Sequence, residues 1–504
     1  MGQASAVWID VEDLFHYVRH NARLSGIQRL TYELYTALED QEATGRRVGY
    51  VRIDRQSDTF RVVPWEQVRA LCHGLTVSHA EPSLLPAAVQ QKPRMPVRQM
   101  PRHLAVALQD RLPAPARERF RRFCALQSGA LHSLAELTRE GVAAGRRRAR
   151  PVVPPARSAA IVAVADAPAD TGLAGVPLLD VARPGDWLLS LGASWHRTDY
   201  GRLLERVRQD GGLRTGLLFY DLIPLRRPEW CHHTLVDTFG RWLDGVLPFV
   251  DAMFAISKAT ADDVARFLAE RDGGVVAPVL TIPVGTGFPA SAAAMGAEAE
   301  QVPDHAVPPP GSYVLFVSTI EARKNHLLMF QVWRRLIETL PADQVPTLVF
   351  AGRVGWLVAD LMLQIANTNY CDGKLLIVED PSDAVLMRLY DGCLFTVLPS
   401  LFEGWGLPVT ESLAAGKPCV ISNLTSLPEA GAGLARMLDP FDLNDAYRVI
   451  ADTLADREGL RSWEGEVRRS FKPVPWARSA EALLRGLDAE ERRTAAPAVQ
   501  AVGA

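Results

Sequence analysis

Two glutamates lie eight positions apart around a glycine-rich turn in the stretch LFEGWGLPVTESLAAG, residues 401–416. Glu403 follows an apolar run typical of a strand, and Glu411 lies about one turn into a predicted helix that starts near Pro408. Glycines beside a helix N-terminus expose backbone N–H groups, which favour anionic or hydroxyl-rich ligands. The two carboxylates could accept hydrogen bonds from sugar or ribose hydroxyls. A helix-end charge and a solvated glutamate would give the same pattern.

Two more strand ends carry residues suited to phosphate binding. Arg323 and Lys324 follow the apolar run YVLFVST, and Gly352 and Arg353 follow TLVFA. Cations at a strand end, beside the positive end of a helix, predict a phosphate site, although a solvated basic cap is the alternative. Because parallel strands end at one edge of a sheet, we expect these residues to lie at the same edge as the glutamate pair.

Strands and helices alternate along most of the chain, which predicts an α/β protein with parallel sheets covered on both faces. We predict an N-terminal domain over 1–300, interrupted by an insertion at about 83–180 that is rich in proline, alanine and arginine. A second domain follows over 301–472. Residues 473–504 should form a helix that packs back on the first domain, followed by a tail. Two such doubly wound domains would face each other across a cleft.

The whole-chain composition limits the class of protein. The 504 residues carry a formal charge of −3, which argues against a dedicated nucleic-acid binder. The N-terminus shows no secretory signal, and no apolar run approaches the roughly 20 residues of a membrane span. The sequence therefore predicts a cytoplasmic protein, with any membrane contact peripheral.

The insertion is strongly basic. Residues 88–157 contain 15 Lys/Arg and 4 Asp/Glu, a local excess of +11. Within it, residues 115–150 combine apolar residues at near-helical spacing with neighbouring arginines. A basic amphipathic helix suits an anionic membrane surface, such as the inner face of the cell membrane. The equal alternative is a helix packed on the first domain, followed by a disordered tail.

Several stretches together resemble a known family. The series STIEARKN, FAGRVGW and LPSLFEGWGLPVTESLAAGKP is similar to the donor half of GT-B glycosyltransferases of family 4, with their E-x7-E motif, over most of 313–470. The stretches IDVEDLFHYVRHNARLSGIQR, FYDLIPLRRPEW and DAMFAISKATADDV resemble bacterial members that build O-antigen or exopolysaccharide, many of them mannosyltransferases. The insertion has no such counterpart. The resemblance implies a GT-B fold, with two Rossmann-like domains facing across a cleft.

The resemblance also implies an activity, the retaining transfer of a hexose from a nucleotide diphosphate sugar. Mannose from GDP-mannose is the best guess on this basis. The acceptor would be a growing bacterial polysaccharide or oligosaccharide, and it would be lipid-linked.

Individual roles follow from the same resemblance. Arg323 and Lys324 would hold the diphosphate and stabilise the leaving nucleotide. Glu403 would hold the donor-sugar hydroxyls and Glu411 the ribose. The rest of the donor site would include Gly352 and Arg353 and three backbone amides, those of Trp405, Gly406 and Leu407.

The N-terminal domain supplies further candidates. Gly26, in LSGIQR, would let the backbone approach the phosphates, or would simply begin a helix. Asp221, in FYDLIP, could bind the acceptor or help its hydroxyl lose a proton; alternatively it caps the following turn. A histidine that contacts the sugar is common in the family, and His16, His20 and His196 are the candidates.

Motifs for other chemistries do not occur in the sequence. We find no D-x-D triplet, no G-x-G-x-x-G, no P-loop and no zinc-ligand spacing, so we expect neither a metal nor a cofactor. Two alternatives stay open beside the glycosyltransferase. One is a sugar-nucleotide epimerase or hydrolase of the same fold, and the other is a catalytically silent glycan- or nucleotide-binding module.

Overall fold

The computed structural model describes most of the chain. The described residues are 5–19, 26–40, 46–76, 83–84, 175–272, 278–286 and 307–495. The proposed membrane-binding segment, 115–150, and most of the insertion predicted at 83–180 lie outside these residues, as does His20.

The described strands are short and apolar. In chain order they are β1 Val7–Asp10, β2 Val48–Asp54, β3 Thr59–Val63, β4 Ser83–Leu84, β5 Trp187–Ser190, β6 Arg214–Phe219, β7 Ala252–Ala255, β8 Val279–Thr281, β9 Tyr313–Val317, β10 Thr347–Ala351, β11 Leu375–Glu379, β12 Thr396–Leu398, β13 Cys419–Ser422 and β14 Arg436–Leu438. All residues of β1, β5, β7, β12 and β13 are buried. Such continuous apolar runs are typical of parallel strands covered on both faces.

These strands form two sheets of seven strands each. The first has the order β3-β2-β1-β5-β6-β7-β8, and the second has the order β14-β13-β12-β9-β10-β11-β4. All the described pairings are parallel except β2–β3 and β11–β4. The α/β class with two Rossmann-like sheets, predicted from the alternation of strands and helices, is confirmed. We call residues 5–76 with 175–286 the N-terminal half and residues 307–470 the C-terminal half.

Helices connect and flank the strands. Those of the N-terminal half are Glu12–Val18, Gly26–Glu39, Trp65–Thr76, Tyr200–Gly211, Ile223–Arg226, His233–Val246 and Lys258–Asp272. Those of the C-terminal half are His326–Thr339, Ala359–Asn367, Asn369–Asp372, Asp383–Gly392, Leu407–Ala414, Leu427–Ala430, Leu443–Ala455 and Arg457–Ser470. Their apolar faces complete the cores on both sides of the sheets.

The last helix, Trp476–Ala495, returns to the N-terminal half. Its Leu483 and Leu487 are fully buried in the same core as Leu34 and Leu38 of the helix Gly26–Glu39. Arg46 Nη2 also donates to Asp488 Oδ1 at 2.6 Å. The chain therefore crosses from the C-terminal half back to the first sheet.

Candidate active site

The cations Arg323 and Lys324 lie in a single 3-10 turn, Ala322–Lys324, just beyond the carboxyl end of β9. The next residue, Asn325, has a φ of +64°, a conformation that asparagine tolerates better than most residues. Its side-chain amide donates to the carbonyl oxygens of Pro399 at 3.3 Å and Pro440 at 2.9 Å. This turn is thereby fixed to the loops that follow β12 and β14.

The two cations meet the first glutamate of the pair. Arg323 Nη1 donates to Glu403 Oε2 at 2.9 Å, and Lys324 Nζ donates to the other oxygen, Oε1. Arg323 Nε also pairs with Glu321 Oε1 at 2.8 Å. We call these four residues the cation–carboxylate cluster. The structure therefore brings together two chain segments about 80 positions apart in the sequence.

The charges of the cluster perturb its pKa values. Burial alone would raise the pKa of Glu403, but the charges of Lys324 and Arg323 lower it to about 2. Burial raises the pKa of Glu321, and the same two cations oppose that rise. Burial and the charge of Arg323 lower the pKa of Lys324. Glu403 is therefore ionised at neutral pH and is a very weak base.

The loop after Glu403 is held from both halves. An added Cβ on Gly404 would lie 2.0 Å from the carbonyl oxygen of Tyr220, so this position requires glycine. Glu403 N donates to Thr425 Oγ1 at 3.1 Å, and Ser426 Oγ donates to the Glu403 carbonyl at 3.0 Å. These contacts fix the position of the Glu403 carboxylate.

The helix Leu407–Ala414 begins directly after this loop. Its N-cap, Gly406, has a φ of +112°, and an added Cβ there would lie 2.5 Å from Leu427 Cδ2. Gly406 offers no side-chain cap, Pro408 has no N–H, and Val409 N donates to the Gly406 carbonyl oxygen at 2.9 Å. The Leu407 N–H is therefore the first-turn donor that can bind a ligand or water. The side chains of Trp405 and Leu407 pack against the core of the N-terminal half.

The second glutamate of the pair is buried between the two halves. Glu411 Oε1 pairs with Arg29 Nη1 at 3.2 Å, and Tyr390 OH donates to Oε2 at 2.9 Å. Arg29 belongs to the helix that Gly26 begins, and an added Cβ on Gly26 would lie 3.8 Å from Leu407 Cδ1. Gly26 and Glu411 are thus near each other. A ligand hydroxyl at Glu411 would share the carboxylate with Arg29 and Tyr390.

The third predicted strand end, after β10, contributes a glycine that lets two strand ends approach closely. Gly352 has a φ of +152°, and an added Cβ would lie 2.1 Å from the carbonyl oxygen of Ser318 beyond β9. Gly352 therefore allows the ends of β9 and β10 to lie close together. Arg353 is exposed, and it does not line the two cavities that Asp221 lines.

Asp221 lies half-buried where the two halves meet. Its Oδ1 accepts a hydrogen bond from Ile223 N at 3.0 Å, so it caps the turn after β6. It also lines a cavity of about 230 Å³ with Glu403 and a second of about 190 Å³ with Arg323. Burial raises the pKa of Asp221, and the charge of Arg323 opposes the rise. The capping and cleft positions predicted for Asp221 therefore occur together.

Two of the candidate histidines stack on each other. The ring centroids of His16 and His196 are 4.2 Å apart, with 13° between the planes. His196 Nδ1 lies 2.8 Å from the carbonyl oxygen of Ala193. Burial lowers the pKa of His196, which favours the neutral ring at pH 7.

Some residues that position this site were not among those predicted from the sequence. Glu321 stands in the quoted stretch STIEARKN, so its charge beside two cations was the available signal. Arg29 and Tyr390 hold Glu411 from distant parts of the chain, and no motif marked them. Among the described residues no group of three or more His, Cys, Asp and Glu is placed to hold a metal ion. No helix in this part of the chain is long and apolar enough to cross a membrane.

The C-terminal half of the chain is similar to a known protein family. Residues 298–464 match the family model for glycosyl transferases group 1. The serotype-specific mannosyltransferase WbdA of Escherichia coli is 27% identical over 281 residues, which are 53% of this chain and 33% of that protein. The O-antigen chain mannosyltransferase B of Escherichia coli is 31% identical over 144 residues, 29% of this chain and 37% of that protein. The chain thus spans about a third of the length of these relatives.

Solved structures are also similar at low identity. A UDP-forming α,α-trehalose-phosphate synthase from Burkholderia vietnamiensis is 16% identical, with a TM-score of 0.45; the match covers 62% of this chain and 76% of that one. Residues 298–464 of this chain therefore match the glycosyl transferases group 1 family, and the chain resembles bacterial O-antigen mannosyltransferases.

Proposed function

We propose that this chain is a retaining glycosyltransferase that moves a hexose from a nucleotide diphosphate sugar to a bacterial polysaccharide or oligosaccharide acceptor. GDP-mannose is the first candidate donor, because the relatives named above are mannosyltransferases. The acceptor would be lipid-linked. The observation that carries the proposal is the cation–carboxylate cluster, in which Arg323 and Lys324 meet Glu403 beside a helix N-terminus.

The proposed chemistry is a separation of charge. Breaking the bond between the anomeric carbon and the phosphate oxygen builds positive charge on the sugar and negative charge on the nucleotide. Arg323 and Lys324 would stabilise the departing diphosphate, and they would do so most strongly in the transition state. Their bonds to Glu403, Glu321 and Phe402 leave further N–H donors available for phosphate oxygens.

Glu403 would position the sugar rather than attack it. Both of its oxygens are paired with cations, and a pKa near 2 makes it a poor proton acceptor. In the proposed step the acceptor hydroxyl forms the new bond to the anomeric carbon on the face that the phosphate leaves. The hydroxyl proton passes to the departing phosphate oxygen. Configuration is then retained without a protein nucleophile.

We further propose that transfer needs no metal or cofactor, because the two cations supply the positive charge at the diphosphate. Activity should then be unchanged in excess EDTA. A cytoplasmic location, peripheral on the inner face of the cell membrane, would follow if the basic segment 115–150 binds anionic lipid. Co-sedimentation with anionic but not neutral vesicles, lost on deletion of 115–150, tests this part.

A thermal-shift screen tests the donor site. GDP-mannose, UDP-glucose, UDP-N-acetylglucosamine and dTDP-rhamnose would each be added to the wild type, Arg323→Ala and Glu411→Ala. A ligand that binds the folded state raises its Tm. Arg334→Ala is a matched control, because Arg334 lies on the helix His326–Thr339 and pairs with Glu338 and Asp372, away from Glu403. We expect one donor to raise the Tm of the wild type and Arg334→Ala only. An equal rise in all four proteins would contradict the site.

Nucleotide release separates the alternatives. A glycosyltransferase releases the nucleotide faster when an acceptor is added. A hydrolase releases it equally well without one, an epimerase changes the sugar without that release, and a silent module does neither. We expect release that depends on the acceptor and that Arg323→Ala abolishes.

A further inference from the structure

An aromatic cavity of about 190 Å³ lies next to the cation–carboxylate cluster. Trp195, Phe239 and Trp242 of the N-terminal half line it, and Trp356 lines it from the loop after β10. Asp221 and Arg323 provide its charged lining. We call this the aromatic cavity. Its mainly apolar lining with a few polar groups is typical of a small-molecule site.

The aromatic wall comes from both halves. The ring centroids of Trp195 and Trp242 are 5.9 Å apart, and Phe239 lies 5.6 Å from Trp195 and 5.2 Å from Trp242. Trp356 Nε1 donates to the carbonyl oxygen of Trp230 at 2.8 Å, which joins the C-terminal half to the N-terminal half. The cavity therefore exists only while the halves are together.

One polar atom in this wall lacks a partner. Trp242 is 2% exposed, and its Nε1 has no hydrogen-bond acceptor among the residues that the structure describes. A buried donor without an acceptor is costly, so most such groups in proteins are paired. This nitrogen is also closed off from water-sized molecules, so Trp242 offers the cavity an apolar ring surface.

The cavity is next to the place where the donor sugar would react. Arg323 lines it and contacts Glu403 at 2.9 Å. Asp221 lines both this cavity and the neighbouring one that contains Glu403. A molecule in the aromatic cavity would thus lie beside the leaving diphosphate and the donor-sugar carboxylate.

We propose that the aromatic cavity is the subsite for the terminal sugar of the acceptor glycan. One apolar face of a pyranose packs on the indole rings. The Asp221 carboxylate accepts from one of the sugar hydroxyls. This inference rests on the proposed glycosyltransferase function, and it adds the class of acceptor and the residues that select it.

Steady-state kinetics with defined acceptors test the subsite. The probes are the methyl glycosides of α-mannose, α-glucose, β-galactose and α-rhamnose, with the nucleotide sugar that raises the wild-type Tm. The variants are Trp356→Ala, at a site already 47% exposed, and Trp356→Phe, which keeps an aromatic ring there. Leu363→Ala is the control, since Leu363 is 60% exposed and does not line the cavity.

We expect Trp356→Ala to raise the KM for the best methyl glycoside by about 10-fold or more, while the donor still raises the Tm. Trp356→Phe should raise that KM far less than Trp356→Ala, because it keeps a ring face for the sugar. Leu363→Ala should behave as the wild type.

Two different failures can be told apart. A wild type that shows no acceptor-dependent release with any of the four glycosides would overturn the subsite together with the transferase function. An active wild type, accompanied by a Trp356→Ala variant with an unchanged acceptor KM, would overturn the subsite and leave the transferase function intact.

Discussion

Glu403 is the common partner of Arg323 and Lys324. Glu403→Gln should lower kcat/KM at least ~100-fold, since a neutral amide can neither balance the two cations nor accept as many sugar hydroxyls. Nucleotide diphosphate alone should still raise the Tm, because both cations stay. Glu464→Gln, which alters a pair with Lys417 elsewhere, is the control. Activity of Glu403→Gln within twofold of the wild type would contradict the assigned role.

Asp13 gives a prediction for the pH dependence of stability. Burial and then the charge of Asp10 raise the pKa of Asp13 to about 7, and its Oδ1 has no hydrogen-bond partner among the described residues. A raised pKa means that the folded state binds the proton more tightly than the unfolded state. The contribution of Asp13 to stability is therefore complete below about pH 4 and is lost as the pH rises through 7. The cost above pH 7 could reach about 4 kcal/mol.

Asp13→Asn should remove this cost. The Tm of Asp13→Asn minus the Tm of the wild type should be larger at pH 8 than at pH 5. Differential scanning fluorimetry at both pH values measures this difference. Asp180→Asn, at an exposed position, should show no such change. A Tm difference between Asp13→Asn and the wild type that is the same at both pH values would show that Asp13 is not buried as a protonated acid.

At the scale of elements, Gly352 sets the distance between the ends of β9 and β10. Gly352→Ala would place a Cβ 2.1 Å from the Ser318 carbonyl oxygen, so the turn that carries Arg323 must shift. We expect a lower Tm and a smaller donor-induced rise in Tm. Gly373→Ala is the matched control: it also has a positive φ, +81°, but no atom lies within 4 Å of the added Cβ. That control should cost only about 1 kcal/mol and leave donor binding unchanged. Equal effects of the two substitutions would contradict the close approach.

Strand ends were the part of the site that the sequence predicted best. Apolar runs followed by polar residues placed Arg323, Lys324 and Glu403 at one edge of a parallel sheet, and the structure brings these three together. The contacts of Glu411 could not be predicted in this way. Arg29 reaches it from the N-terminal half, and Tyr390 reaches it from the helix Asp383–Gly392 of the C-terminal half. These contacts depend on how helices pack between and within the halves. Local pattern carries no information about such packing.

At the scale of the whole molecule, a carboxylate joins the two halves. Glu429, on the C-terminal half, accepts from the backbone N–H groups of Lys258 at 2.9 Å and Ala259 at 2.8 Å. It thereby caps the helix Lys258–Asp272 of the N-terminal half. Glu429→Ala should cost about 1 kcal/mol, lower the Tm and increase the radius of gyration in solution scattering. Glu458→Ala, in the first turn of Arg457–Ser470, is the control. An unchanged radius and Tm would show that the contact does not hold the halves together.

The lining of the aromatic cavity could not be predicted from sequence patterns. Trp195, Trp242 and Trp356 stand far apart in the chain, and each alone is typical of a core or surface tryptophan. Only the packing of the two halves makes them a common lining. Asp221 was singled out from FYDLIP, yet its place between two cavities likewise depends on that packing.

Calorimetric titration of GDP-mannose into the wild type and Lys324→Met tests whether the cation–carboxylate cluster binds the diphosphate. Lys472→Met, which removes an exposed lysine, is the control. One charge-assisted hydrogen bond is worth about 1.5–3 kcal/mol, so Lys324→Met should weaken binding roughly 10- to 100-fold. The wild type and Lys472→Met should bind GDP-mannose equally. Equal dissociation constants for the wild type and Lys324→Met would contradict a diphosphate site at the cation–carboxylate cluster.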